Sequence, residues 1–104
     1  MTSKKMISDQ HIYEVDPDSA AQINVREEPG WEGVFTRDQY AGAKYKNGEC
    51  VRKKLVEPGD LNPAGALATV LGSIGRDGFV GYFVEWHDSP RRAVFIAEFK
   101  IEAA

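Results

Sequence analysis

Few side chains in this chain invite chemistry by type and spacing, and Cys50, His11, His87 and Asp88 are the ones worth weighing. A cysteine becomes a nucleophile as its thiolate, which neighbouring cations favour. Arg52 and Lys54 share a strand face with Cys50, but no histidine stands beside it, so the residue reads as a small half-buried hydrophobe. His87 and Asp88 are adjacent, and a general base with its orienting carboxylate needs those two types. Side chains one apart on a strand point to opposite faces, however, and no serine or cysteine is placed for activation. The pair reads as a solvated turn. No spacing joins His11 to them as a metal site. Cys50 is the only cysteine, which excludes an intrachain disulfide and a thiolate cluster. The expectation is a chain that is not an enzyme and has no catalytic residue, cofactor or metal.

The stronger anomaly is charge. Residues 43–56 hold Lys44, Lys46, Arg52, Lys53 and Lys54 against Glu49 alone, inside a chain of net charge −3. Cations beside Tyr45 suit phosphate contacts with a ring to stack on a base. Lysines also blunt an exposed sheet edge, so a solvated edge is the plainer reading. Arg91 and Arg92, in the turn after Ser89-Pro90, would extend the same patch. Trp31, alone in a turn-rich stretch, is either an anchor for a partner or a cover for one end of the core.

The elements that must position these residues follow from pattern. The chain has 104 residues, of which 42 % are hydrophobic and 28 % charged, as in one ordinary soluble domain. Bulk electrostatic binding to nucleic acid is excluded by the acidic balance. No apolar run reaches the ~20 residues of a membrane span, and no secretory signal opens the sequence. The expected location is cytoplasmic, with no membrane contact.

Residues 1–30 form a partly ordered arm, with a strand at His11–Val15 and the first eight or so residues mobile. Asp16 caps one helical turn with Pro17 at its first position. Ile23–Val25 alternates like a strand before Glu28-Pro29-Gly30 turns the chain. Thr36–Gln39 fits a capping box for a short helix. Lys44-Tyr45-Lys46 and Glu49-Cys50-Val51 flank Asn47-Gly48, the signature of a hairpin with a type I′ turn. Its second strand runs to Val56, and the residues from Glu57 to Gly65 are loop. Strands follow at Ala66–Ile74, Phe79–Trp86 and Arg92–Ala97, with turns at 75–78 and 87–90. In the second of them Val80, Tyr82, Val84 and Trp86 share one face, and Gly81, Phe83 and Glu85 the other. Phe99-Lys100-Ile101 closes the domain.

The succession of Glu49-Cys50-Val51-Arg52, the Pro/Gly loop, Ala68-Thr69-Val70-Leu71, Tyr82-Phe83-Val84-Glu85-Trp86, Val94-Phe95-Ile96 and Phe99-Lys100-Ile101 resembles the SH3-like small barrels. It resembles in particular the nitrile hydratase β-subunit type and the small accessory subunits that share its layout. The resemblance runs from about Ala43 to Glu102. Ala68 stands where such barrels commonly have glycine, and the aromatic motif of peptide-binding signalling domains is absent. The resemblance implies docking onto a larger partner.

The expected fold is therefore all-β: an SH3-like five-stranded, mostly antiparallel barrel over residues 31–104, with residues 1–30 as an arm. The expected function is a small non-catalytic binding module or accessory subunit for a protein partner. Its face would include Trp31, Lys44, Tyr45, Lys46, Arg52, Lys54, Arg91, Arg92 and the Pro58–Gly65 loop. The alternative is a nucleic-acid contact protein that uses the 43–56 hairpin. Oligomeric state is left open.

Overall fold

The structure is a computed structural model that describes residues 4–104. Seven strands form one sheet: β1 Lys4–Ser8, β2 Ile12–Val15, β3 Cys50–Lys53, β4 Leu67–Arg76, β5 Phe79–Trp86, β6 Ala93–Ala97 and β7 Ile101–Ala103. Their order is β2-β1-β6-β5-β4-β3-β7, and the sheet is open. The all-β expectation holds at that level, whereas a closed barrel of five strands is not what the pairing records. Two further strands, β1 and β2, extend the sheet beyond β6. Residues 4–8, expected to be mobile, are instead a strand. β1 is antiparallel to β2 and parallel to β6, with Ile7 opposite Val94. Residues 1–3 lie outside the described chain.

The meander β4–β5–β6 is where sequence dictates structure most directly. Asp77 and Gly78 both have positive φ, at 53° and 82°, so the true type I′ turn of the molecule joins β4 to β5. The period-2 pattern of β5 then sorts its side chains. Tyr82, Val84 and Trp86 enter one core with Val51, Val70, Val94, Ile96 and Ile101. Phe83 enters a second core on the other face, with Phe35, Leu71 and Ala93. An irregularity between Val70 and Gly72 lets β4 serve both: Val70 packs in the first core and the extra residue, Leu71, in the second.

The second face is covered by α1 (Pro17–Gln22) and the irregular segment after it. Asp16 caps α1 as its type and the following proline indicate, accepting the Ser19 backbone N–H at 2.9 Å. Ile23–Val25 is not a strand. Arg26 makes a single bridge to Phe35, and Glu32 one to Arg92. The short helix expected after Thr36 is absent, because the Thr36 hydroxyl accepts the Asp38 N–H locally and Ser73 of β4 donates its N–H to the Asp38 carbonyl. This segment touches the sheet so closely that a Cβ on Gly72 would meet the Thr36 carbonyl oxygen at 1.9 Å.

The Asn47-Gly48 hairpin does not form either. Gly48 alone has positive φ, and Lys46 accepts the Glu49 N–H at 3.0 Å, so this is a plain turn with no strand before it. The backbone N–H groups of Lys44 and Tyr45 go instead to the Tyr82 hydroxyl, at 2.8 and 3.1 Å. β3 ends at Lys53, short of the expected Val56. A 3-10 turn at Glu98–Lys100 separates β6 from β7, which returns to pair with β3.

Candidate functional site

The most concentrated chemistry lies where the loop after β3 meets the β1–β2 turn and the 3-10 turn. Lys53 continues the alternation of β3: Val51 and Lys53 are buried while Arg52 between them is exposed. Its ammonium lies 2.9 Å from Asp60 Oδ2 and 3.3 Å from Asp9 Oδ2. Lys100 reaches the same carboxylates, Asp9 at 2.7 Å and Asp60 at 3.0 Å, and adds Glu57 at 3.0 Å. The backbone N–H of Glu57 and the Gln10 amide also donate to Asp60, both at 2.9 Å. Two cations and two buried carboxylates thus neutralise one another, as buried charge requires.

Burial alone would push the Asp60 carboxyl up. The Glu57 N–H, then Lys53, Gln10 and Lys100, overcome it and hold the group well below the usual carboxylate range. Burial would likewise lower Lys100, yet Asp9, Glu57 and Asp60 hold it above the ordinary lysine value. The network clamps the 54–61 loop onto the rest of the molecule, and backbone bonds from Leu55 N–H to the Lys100 carbonyl and Leu61 N–H to the Asp9 carbonyl complete the seating.

On this clamped frame the chain displays large apolar side chains to solvent. Leu61 is 66 % exposed and Phe99, beside Lys100 in the 3-10 turn, 56 %; Leu55 and Val56 are exposed as well. A second anchor lies nearby in sequence: the Tyr82 hydroxyl bonds to Glu98 as well as to the two backbone N–H groups. Burial, reinforced by Glu98, pushes that phenol up to about 12.

The residues singled out from sequence do not assemble into one surface. Tyr45 is buried, its ring 5.5 Å from that of Tyr82 and its hydroxyl on the Ile101 carbonyl. It cannot stack on anything outside, because the strand that would have displayed it does not exist. Lys53 is internal. Arg52 is paired with Glu102 across β3–β7 at 2.7 Å. Arg92 is half-buried with its Nε 3.8 Å from Glu32, and Arg91, at φ 59°, ties its backbone N–H to Glu85. Lys44, Lys46 and Lys54 are exposed. Trp31 is half-buried against the second core, 4.9 Å from Phe35, with Arg37 over its ring at 5.8 Å.

Cys50 faces Thr69 across β3–β4. His87 Nε2 bonds to Thr69 at 3.0 Å and His11 Nε2 to the Tyr13 hydroxyl at 2.6 Å, so each histidine is engaged within its own surroundings rather than with the other. Among the described residues no three His, Cys, Asp or Glu side chains are grouped to hold a metal ion, and no helix is long and apolar enough to cross a membrane. Against models of protein families, curated proteins and solved structures, the chain matches none.

The sequence reading missed the charge network entirely. The available signal was Lys53 itself, which falls two residues after Val51 and so shares its inward face.

Proposed function

We propose that this chain is a non-catalytic protein-binding module that docks on a larger protein through the 54–61 loop and the 3-10 turn. The observation that carries it is the display of Leu55, Val56, Leu61 and Phe99 on segments that the Lys53–Asp60–Lys100–Asp9 network holds in place. Large apolar side chains left in solvent on segments that are seated against one another are candidates for an interaction site. A surface already rigid gives up little conformational freedom when it binds. In this reading β3–β7 is an SH3-like small barrel to which β1 and β2 are added. The order β7-β3-β4-β5-β6, with a 3-10 turn before the strand that returns to β3, supports it. The basic-hairpin reading loses ground, since Lys53 is buried and Arg52 is paired.

The test is affinity capture from nuclease-treated lysate with three baits: the native chain, Leu61→Glu/Phe99→Glu, and Lys44→Glu/Lys46→Glu/Arg52→Glu/Lys54→Glu. The expected result is a stoichiometric protein retained by the first and third baits and lost with the second. Nuclease-sensitive material lost with the third bait alone would replace this reading with nucleic-acid contact.

A further inference from the structure

Among the described residues two buried side-chain nitrogens have no hydrogen-bond partner, Trp86 Nε1 and Arg92 Nε, and both residues line one cavity. It measures about 220 Å³ and lies between the end of β1, the turn from β5 to β6 and residues 61–62. That is below the roughly 300–1,000 Å³ of drug-sized sites, so its ligand is small. We infer that it binds a small α-amino acid, with the carboxylate on Trp86 and Arg92 and the ammonium towards Asp9 and Asp88.

The donors define one end of the ligand. Trp86 closes β5 on its inward face and is 1 % exposed, so the alternation that puts Tyr82 and Val84 in the first core also carries its indole out of solvent. An indole N–H buried without an acceptor is costly, and native proteins rarely leave one so. The turn after β5 returns the chain to Arg92, whose Nε is 3.8 Å from Glu32, beyond hydrogen-bond range. Two unbonded donors, one on a permanent cation, call for an acceptor with two oxygens. A carboxylate is the group that guanidinium geometry fits best.

The acceptors define the other end. Asp9 binds Lys53 and Lys100 through Oδ2, and its Oδ1 carries no hydrogen bond among the described residues. Asp88, also in the lining, is exposed and unpaired among the described residues. Carboxylates so close disfavour a bare anion and favour one that carries its own cation. An α-amino acid holds both charges on one carbon and is neutral overall. Ile7 and Val94, opposite one another across β1–β6, line the same cavity and suit a small apolar side chain.

The test is titration of the isotope-labelled full chain with alanine and valine, and with propionate and ethylamine, which are alanine without its ammonium or its carboxylate. Nuclear magnetic resonance follows the indole N–H signals, with Trp31→Phe assigning them, and calorimetry gives the affinity. One-to-one saturable binding of an amino acid should move the Trp86 signal and leave that of Trp31 still. Propionate and ethylamine should each bind about tenfold more weakly or worse, because each leaves one end of the site unpaired. Arg92→Gln should weaken alanine by about the same factor, and Asp88→Asn should narrow the gap between alanine and propionate. Trp86→Phe should weaken alanine as well, once thermal unfolding shows the variant folded; if it does not fold, Arg92→Gln decides, since that side chain is half-buried only. The proposal is overturned if neither amino acid saturates, which leaves the cavity to water, or if the Trp86 signal stays still at saturation. Propionate as tight as alanine, or Arg92→Gln without effect, overturns it equally. The cavity shares Leu61 with the docking surface but not Phe99. Phe99→Glu should therefore impair docking and leave alanine binding intact, so the two readings fail separately.

Discussion

Lys53 Nζ and Asp60 Oδ2 are 2.9 Å apart with neither side chain reaching solvent. Such a pair is less a source of stability than a commitment, because the desolvation of each charge is offset only while its partner is present. Lys100 and Asp9 share the arrangement, so three stretches distant in sequence, the β1–β2 turn, β3 with the loop after it and the 3-10 turn, are held together by four side chains.

Removing one partner should therefore cost more than removing both. Asp60→Asn is expected to destabilise the chain by about 3–5 kcal/mol, and Lys53→Met/Asp60→Leu by distinctly less. Urea denaturation of the three proteins measures this. A double variant as unstable as the single one would show that the loop needs the charges for more than neutrality.

The same carboxylate predicts an acid limit. Asp60 is held below its ordinary value in the folded state, so the unfolded chain takes up its proton first as pH falls. Its contribution is complete above about pH 4, the ordinary range of an aspartate, and drains away below it. The melting temperature should fall from that point downward, with a shallower slope in Asp60→Asn.

At the other end of the scale, Tyr82 at about 12 and the raised Lys100 act in the opposite sense. Both hold their protons more tightly when folded, so their contribution is full below about pH 10 and is lost as pH rises further. Ultraviolet titration should show one phenol ionising near 12 that disappears in Tyr82→Phe. That variant also leaves the buried Tyr45 N–H without its acceptor, a loss of about 1–3 kcal/mol, whereas the Lys44 N–H keeps the Glu98 carboxylate at 3.3 Å.

Two glycines should respond differently to alanine. Gly48 has φ +88° and open space around its Cβ position, so Gly48→Ala should cost about 1–2 kcal/mol through backbone strain alone. Gly72→Ala drives a methyl into the Thr36 carbonyl, backbone against backbone, and should cost about 3 kcal/mol or more. Thermal unfolding of the two variants ranks them.

What the sequence made legible was local. The alternation of Val80 through Trp86 assigned β5 side chains to two faces, and the Asp16-Pro17 pair marked a helix start, because neighbours within a few residues carry that information. Asn47-Gly48 misled for the opposite reason: its dipeptide suits a hairpin, but Tyr45 is drawn inward by Tyr82, 37 residues further on. The open sheet escaped because β1 finds its place beside β6 at the other end of the chain. The network escaped because Asp9, Lys53, Asp60 and Lys100 share no periodicity, and a run of three cations resembles a solvated edge until Lys53 is counted from Val51.

The parallel pairing of β1 with β6 carries a consequence for the order of events in folding. Ile7 can meet Val94 only after nearly the whole chain has been gathered, and closing so long a loop is entropically slow. The β4–β5–β6 meander needs no such closure and can assemble from adjacent hairpins. The edge of β6 therefore stands open until β1 arrives, and during synthesis on the ribosome β1 can pair at once with β2 but must wait for β6 to emerge.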